Sequence, residues 1–397
     1  MTLQHRRIVI VEGSVQHIAL RLTRAAAIIA VVCGLPYMVE SFRLGQITGA
    51  CTYAMVIVGL NLLAGYGGQI SLGHAAFFGL GAYTTGVLTT KHGVPPLASF
   101  AVDIVLAFAA GALVALPALR LKGIYVALVT LAVGLIFPAL VSRFDSLTGG
   151  SAGLFGVSYD PPNMAYFSGF NGGTLWHYWL VIAGLGLSCL VVRNLMRSRF
   201  GRGMVALRDN ESAAVVMGVQ RIPVRAVTFG TSAAIASLAG GLFAVTNGIL
   251  TPDSFSLLLT LYFLAGMIIG GTGSLWGPIF GGFVVYYVPV WAADLSSLNA
   301  GTNYAGVLLG AIIIVITFVL RSGAVGLLRS ATGLIFVVQP RTPTATRTSR
   351  RSAPGGAAAS GGSSTEGAPP GTGRHPGHDT TPDGAARPVR SEASYRL

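Results

Sequence analysis

"GYGGQISLGHAAFFGLGAYTTG", residues 65–86, sets Gln69, Ser71 and His74 between glycines and an apolar run. Tyr66 and Tyr83 add two hydroxyls, and no acidic or basic chain other than the His74 imidazole interrupts the stretch. Gly65, Gly67 and Gly68 allow positive φ and close backbone approach. Polar groups in hydrocarbon are costly unless satisfied, so these residues should face other helices or a water-filled path. Two readings stay open. One is a tight turn between membrane helices, capped by Ser71, with His74 hydrogen-bonded at the interface. The other is direct contact with a transported solute. The glycines match neither GxxxxGK[ST] nor a GxGxxG after a strand, which argues against nucleotide binding by this chain.

Composition around that stretch points the same way. Of 397 residues, 52% are hydrophobic and only 10% charged, against about a quarter charged in soluble domains. The net charge of +13 comes from 26 Lys and Arg against 13 Asp and Glu. These basic residues lie between apolar runs, as in cytoplasmic loops. No aromatic-studded basic face suggests nucleic acid. Cys33, Cys51 and Cys189 lie in apolar stretches and read as small buried hydrophobes. No Cys/His spacing predicts a metal site.

Runs of about 20 apolar residues suffice to span a bilayer. Ten are predicted, near 25–40, 45–64, 73–90, 97–119, 123–142, 176–192, 226–249, 256–273, 275–293 and 303–320. Glycine and proline weaken the third, eighth and ninth, where a broken or re-entrant segment is expected. The predicted fold is all-α, a polytopic transmembrane bundle. Residues 1–24 form a cytoplasmic N-terminus and 25–335 the membrane domain. Residues 340–397, rich in Gly, Ala, Pro and Arg, form a disordered cytoplasmic tail. No small-residue cleavage site follows 31–35, so the first run is read as a retained span. An inside N-terminus leaves only Arg43, Lys91 and Arg143 outside before the tail, in keeping with positive-inside bias. Glycine pairs at 45/49, 266/270, 277/281 and 306/310 predict close helix packing.

A second informative stretch is "RNLMRSRFGRGMVALRDNESAAVVMGVQRIPVR", residues 193–225, the most charged part of the membrane domain. Met204, Leu207, Glu211, Ala214, Val215 and Gly218 recur at helical spacing, predicting one amphipathic helix over 203–217 with Gly218 just past its end. It either docks a protein or lies on the headgroups. In the spans, Asn61 reads as an interhelical hydrogen-bonding residue. Asp103, in "ASFAVDIVLAF", is a rare acid at depth. It is expected near the headgroups or paired with Lys91, or else as a transient partner for a substrate ammonium.

Three blocks resemble the permease subunits of bacterial ABC importers for branched-chain amino acids, the M-type subunits among them. They are "NLLAGYGGQISLGHAAFFGLGAYT", then "LRLKGIYVALVTLAVG" with "FDSLTGGSAGLFGV", then "SRFGRGMVALRDNESAAVVMGV" with "GGTGSLWGPIFGG". The likeness runs in order over about residues 20–335. It implies that Arg202, Ala206, Arg208, Asp209, Glu211, Ala213, Ala214 and Gly218 form the segment gripped by a cytoplasmic ATPase, the EAA-type loop. Gly203 and Met204 depart from the family's usual small helix-former and apolar pair. The resemblance also implies a second homologous permease, an extracytoplasmic binding protein and a bacterial plasma-membrane location with both termini inside. No cofactor is expected on this chain; ATP and Mg belong to the partner ATPase. Asn61, Gln69, Ser71, His74 and Asp103 are the candidates for the translocation path. Urea or short amides are alternative substrates within the class. An ion-coupled secondary transporter is an alternative class, disfavoured by the scarcity of membrane acids. Enzyme motifs such as HExxH and GxSxG are missing from the sequence.

Overall fold

The computed structural model of the protein describes residues 8–11, 15–120, 124–162, 172–297, 310–311 and 336–339. The helices are α1 (Val15–Met38), α2 (Ser41–Leu60), α3 (His74–His92), α4 (Pro96–Arg120), α5 (Ile124–Arg143), the one-turn α6 (Asp145–Thr148), α7 (Gly172–Arg197), α8 (Arg199–Asp209), α9 (Glu211–Val216), α10 (Arg221–Asn247), α11 (Leu257–Gly270) and α12 (Gly277–Ser297). A π-helical turn, Asn61–Tyr66, continues α2.

Among the described residues, six helical stretches are long and apolar enough to cross a membrane: Ser41–Tyr66, Pro96–Pro117, Tyr125–Arg143, Gly172–Arg197, Arg221–Asn247 and Pro252–Gly270. Ala26–Met38 and Gly277–Ala292 are apolar but shorter. The chain is thus a helical, multi-pass membrane protein. The predicted span near 303–320 and the tail over 340–397 lie outside the described residues, apart from 310–311. Helices run past several predicted ends. α1 starts at Val15 instead of near 25, and α7 covers Gly172–Arg197 instead of 176–192. Apolar runs mark only the part in hydrocarbon, whereas a helix can continue through polar residues beyond it.

Two small strand pairs qualify the all-α expectation. β1 (Ile8–Val11) pairs in parallel with β4 (Phe336–Gln339), Ile8 opposite Phe336. β2 (Leu154–Phe155) pairs antiparallel with β3 (Ile249–Leu250).

α2 and α10 are enclosed, while α4 and α5 expose most of their apolar windows, as lipid-facing helices do. α10 packs against α4, α3 and α2. Lipid supplies no hydrophobic drive between helices, so van der Waals contact must hold them, and small residues permit it. The "SLAGG" face of α10 serves that purpose. A Cβ built on Gly240 falls on the Phe78 carbonyl of α3, and one on Gly81 falls on the Ser237 carbonyl of α10. Gly240→Ala is therefore expected to lower stability by about 1–3 kcal/mol through forced separation of the two helices. Thermal unfolding of the detergent-solubilised protein measures it. The predicted glycine pairs of α11 and α12 meet each other: Gly266 faces the Gly281 carbonyl and Gly270 the Gly277 carbonyl. Gly49 lies under the Tyr286 ring, whereas Gly45 touches nothing within 4 Å of its built Cβ.

Candidate functional site

The Gly-rich stretch becomes a compact turn between α2 and α3. The wide π turn carries Gly67 N–H to the Leu62 carbonyl at 3.1 Å and Gln69 N–H to the Leu63 carbonyl at 3.2 Å. Gly68 then takes φ of 66°, a left-handed conformation that a Cβ disfavours. The Leu72 N–H donates to Thr130 Oγ1 of α5 at 2.9 Å, and α3 begins at His74. The Ala75 N–H in its first turn donates to Thr260 Oγ1 of α11 at 3.1 Å.

His74 is buried, and both ring nitrogens are engaged. Nδ1 lies 3.0 Å from Ser71 Oγ and Nε2 lies 2.9 Å from Ser232 Oγ on α10. Ser232 has one hydroxyl proton and donates it to the Gly59 carbonyl of α2 at 2.5 Å. The Ser232 oxygen is therefore the acceptor for Nε2–H, and the ring links α3, α10 and α2. Asn61 works similarly over a longer span of sequence. Its Nδ2 donates to the Ser274 carbonyl at 2.8 Å, and its Oδ1 accepts the Gly273 N–H at 3.0 Å. Gly273 and Ser274 belong to a second glycine turn, between α11 and α12, in which Ser274 Oγ accepts the Gly277 N–H at 3.1 Å. Asn61 thereby joins the two glycine turns.

Four of the five predicted path residues, Asn61, Gln69, Ser71 and His74, thus gather at one turn. Asn61, Ser71 and His74 have their polar groups taken up by the protein. Gln69 is half-buried, and its Oε1 is buried with no hydrogen-bond partner. Asp103 lies elsewhere. It is fully buried where α4 meets α3 and α10, and its Oδ2 accepts the Thr85 hydroxyl at 2.6 Å. Thr85 is eleven residues along α3 from His74, about 16 Å of helix. Asp103 Oδ1 has no partner, and Ser237 Oγ donates to the Asp103 backbone carbonyl at 3.2 Å. The expected pairing with Lys91 is not formed, because Lys91 Nζ donates to the Ser146 carbonyl.

The loop after α7 corrects the prediction of one helix over 203–217. There are two, because Asn210 leaves helical geometry at φ −155° and caps α9, its Oδ1 accepting the Ala213 N–H at 3.0 Å. Ser198 caps α8 through Oγ, which accepts the Phe200 N–H at 3.2 Å. Gly218, at φ 87°, ends α9 as predicted, and the Val219 N–H closes the turn on the Ala214 carbonyl at 3.0 Å.

α8 buries Gly203, Met204 and Leu207, and the Thr228 hydroxyl of α10 contacts Met204 Sδ at 3.2 Å. Ala206 is half-buried and Ala214 buried, while Ala213 and Gly218 are exposed. The charges are engaged within the loop and its flanks. Glu211 pairs with Arg221 at 3.3 Å and Arg225 at 3.1 Å, and Arg208 with Asp209 at 2.8 Å. Arg202 Nη1 donates to the Arg197 carbonyl at 3.1 Å. The most prominent feature escaped the sequence reading: Val216 and Met217 are each 86% exposed at the tip, and Ile222, in the first turn of α10, is 59% exposed. The apolar character of Val216 and Met217 hid an orientation that their spacing carried, since both lie off the helix face of Met204, Leu207 and Ala214.

Among the described residues, no group of three or more His, Cys, Asp or Glu could hold a metal ion. The family model described as branched-chain amino acid transport system / permease component matches residues 43–317. The high-affinity branched-chain amino acid transport system permease protein LivM of Salmonella typhimurium is 30% identical over 276 residues, 62% of this chain and 63% of that protein. LivM of Escherichia coli gives the same identity and coverage. The chain thus spans less than two thirds of these LivM relatives. LivH of Escherichia coli is 26% identical over 301 residues, 70% of this chain and 93% of that protein. No solved structure matches. A match over most of the membrane domain establishes that the chain belongs to the branched-chain amino acid transport system permease family.

Proposed function

We propose that the chain is the membrane-spanning subunit of an ATP-driven importer that passes leucine, isoleucine or valine into the cell. A cytoplasmic ATPase grips the α8–α9 loop, a second homologous permease completes the passage, and an extracytoplasmic binding protein delivers substrate. ATP and Mg stay on the ATPase. The carrying observation is the build of that loop: a base anchored in the bundle through Met204 and Leu207, and an apolar tip at Val216 and Met217. An exposed apolar tip on an anchored base suits docking by another protein. The bundle crosses the membrane about ten times with both ends in the cytoplasm. An even number of crossings agrees with the parallel pairing of Ile8–Val11 with Phe336–Gln339, which sets both segments side by side.

The chain performs no covalent chemistry. Nucleotide-driven closure of the ATPases shifts the bundle between two packings, and solute crosses as access alternates. The buried polar residues of the first glycine turn hold helices, and charge along the described spans is sparse, so substrate choice falls to the binding protein. The test is radiolabelled leucine uptake by proteoliposomes holding the complete importer and its binding protein. Uptake should require ATP, persist with ionophores, and be competed by isoleucine and valine but not urea. Uptake by this chain alone, driven by an ion gradient, would overturn the proposal.

A further inference from the structure

The loop and the first glycine turn meet at one side chain. Arg208, in the last turn of α8, donates from Nη1 to the Gly65 carbonyl at 3.0 Å. Its stem lies over Gly68, where a built Cβ would strike Arg208 Cγ. Its Nε and Nη2 hold Asp209 Oδ1 at 3.0 and 2.8 Å. The carbonyls ending a helix lack further turns to bond and carry the negative end of its dipole, so a guanidinium there is matched in both charge and hydrogen bonding. The same turn contains Asn61, which holds Gly273 and Ser274 of the second glycine turn. Arg208 thus holds one end of a single helical turn, and Asn61, whose Oδ1 lies against Gly65 where a built Cβ would strike it, ties the other end to the turn before α12.

We propose that Arg208 is a positioning residue that passes displacement of the α8–α9 loop to both glycine turns, so that solute movement stays tied to ATP hydrolysis. The inference rests on the reading above and assigns the loop's transmitting contact. Guanidinium geometry matters, because one planar group bonds Gly65 and Asp209 at once; a lysine ammonium on a flexible stem holds one of them poorly while holding the other.

The complete importer in proteoliposomes, with its binding protein and radiolabelled leucine, tests it through the ratio of leucine moved to ATP hydrolysed. Arg208→Ala should let hydrolysis continue while that ratio falls about ten-fold, and Arg208→Lys should fall between the two. A residue that merely supports folding would lower both rates together and leave the ratio unchanged. An unchanged ratio in Arg208→Ala therefore overturns the proposal. Should that variant fail to assemble, Gly68→Ala gives the second measurement. It keeps the Arg208 charge but displaces its stem, and the ratio should again fall; an unchanged ratio there is equally contrary. If the wild-type complex contains no ATPase, the underlying functional reading fails, separately from this one.

Discussion

Replacing Val216 and Met217 together by glutamate is expected to reduce ATP-driven leucine uptake to background while the chain still inserts in the membrane. Both side chains project from the end of α9 and are almost fully exposed. If the ATPase covers them, two carboxylates in an apolar pocket lack partners and lose the burial of the native side chains. Hot-spot truncations cost about 2 kcal/mol or more each, and together these changes should weaken docking by more than about 100-fold. A tip resting on anionic headgroups would also reject glutamate, so the lysine pair is the informative companion. Lysines favour an anionic leaflet, yet in a protein pocket they are as unwelcome as carboxylates. Uptake lost in both pairs supports docking. Uptake retained with lysine assigns the tip to lipid. Co-purification of the ATPase, read beside uptake, shows whether the loss is one of binding.

His74→Ala is the second large effect. The imidazole bridges Ser71 and Ser232 in the buried interior, and Ser232 continues to the Gly59 carbonyl. Its removal orphans the Ser71 proton, leaves Ser232 with Gly59 alone and opens a void among three helices. The expected cost is about 3–5 kcal/mol, a large share of a typical total of about 5–15 kcal/mol. Thermal unfolding in detergent should show an early transition, with transport lost in proportion to folded protein. Unchanged thermal stability with transport abolished would move His74 from the scaffold into the path.

The legible part of the fold was local. A tight turn was one of the two readings of the glycines beside Gln69, Ser71 and His74, and a turn is present between α2 and α3. The charged stretch after α7 predicted one helix stopping before Gly218; the stop is there, with positive φ at Gly218, but the helix is split in two at Asn210. Partner choice at the candidate site was not legible, because it depends on contacts far apart in sequence. Asn61 reads as an interhelical residue from its place in a span, but nothing near it names Gly273 and Ser274. Ser232, in a run of small residues, looks like packing until the fold sets its hydroxyl against His74. Asp103 tempted a pairing with Lys91, the nearest cation in sequence. α3 instead turns Thr85 toward it, and Lys91 reaches Ser146. Asn210 did carry a usable signal. An asparagine just ahead of Glu211, with an amide to cap at Ala213, marks a helix start, and helical spacing of the apolar residues across it obscured the break. Exposure of Val216 and Met217 was legible only in their spacing, which sets both off the helix face of Met204, Leu207 and Ala214; apolar character alone reads alike at a loop tip and in a core.

On the function proposed above, a separate motor grips this chain at the α8–α9 loop. Ala213 is exposed on α9, next to the apolar tip. A photoreactive cross-linker attached to a cysteine at that position, in the assembled and transport-competent importer, probes that grip. A covalent product with an ATP-binding subunit is expected, its yield changing when ATP is trapped on the complex. Leucine uptake by the labelled importer with no such product, or a product with lipid alone, would contradict it.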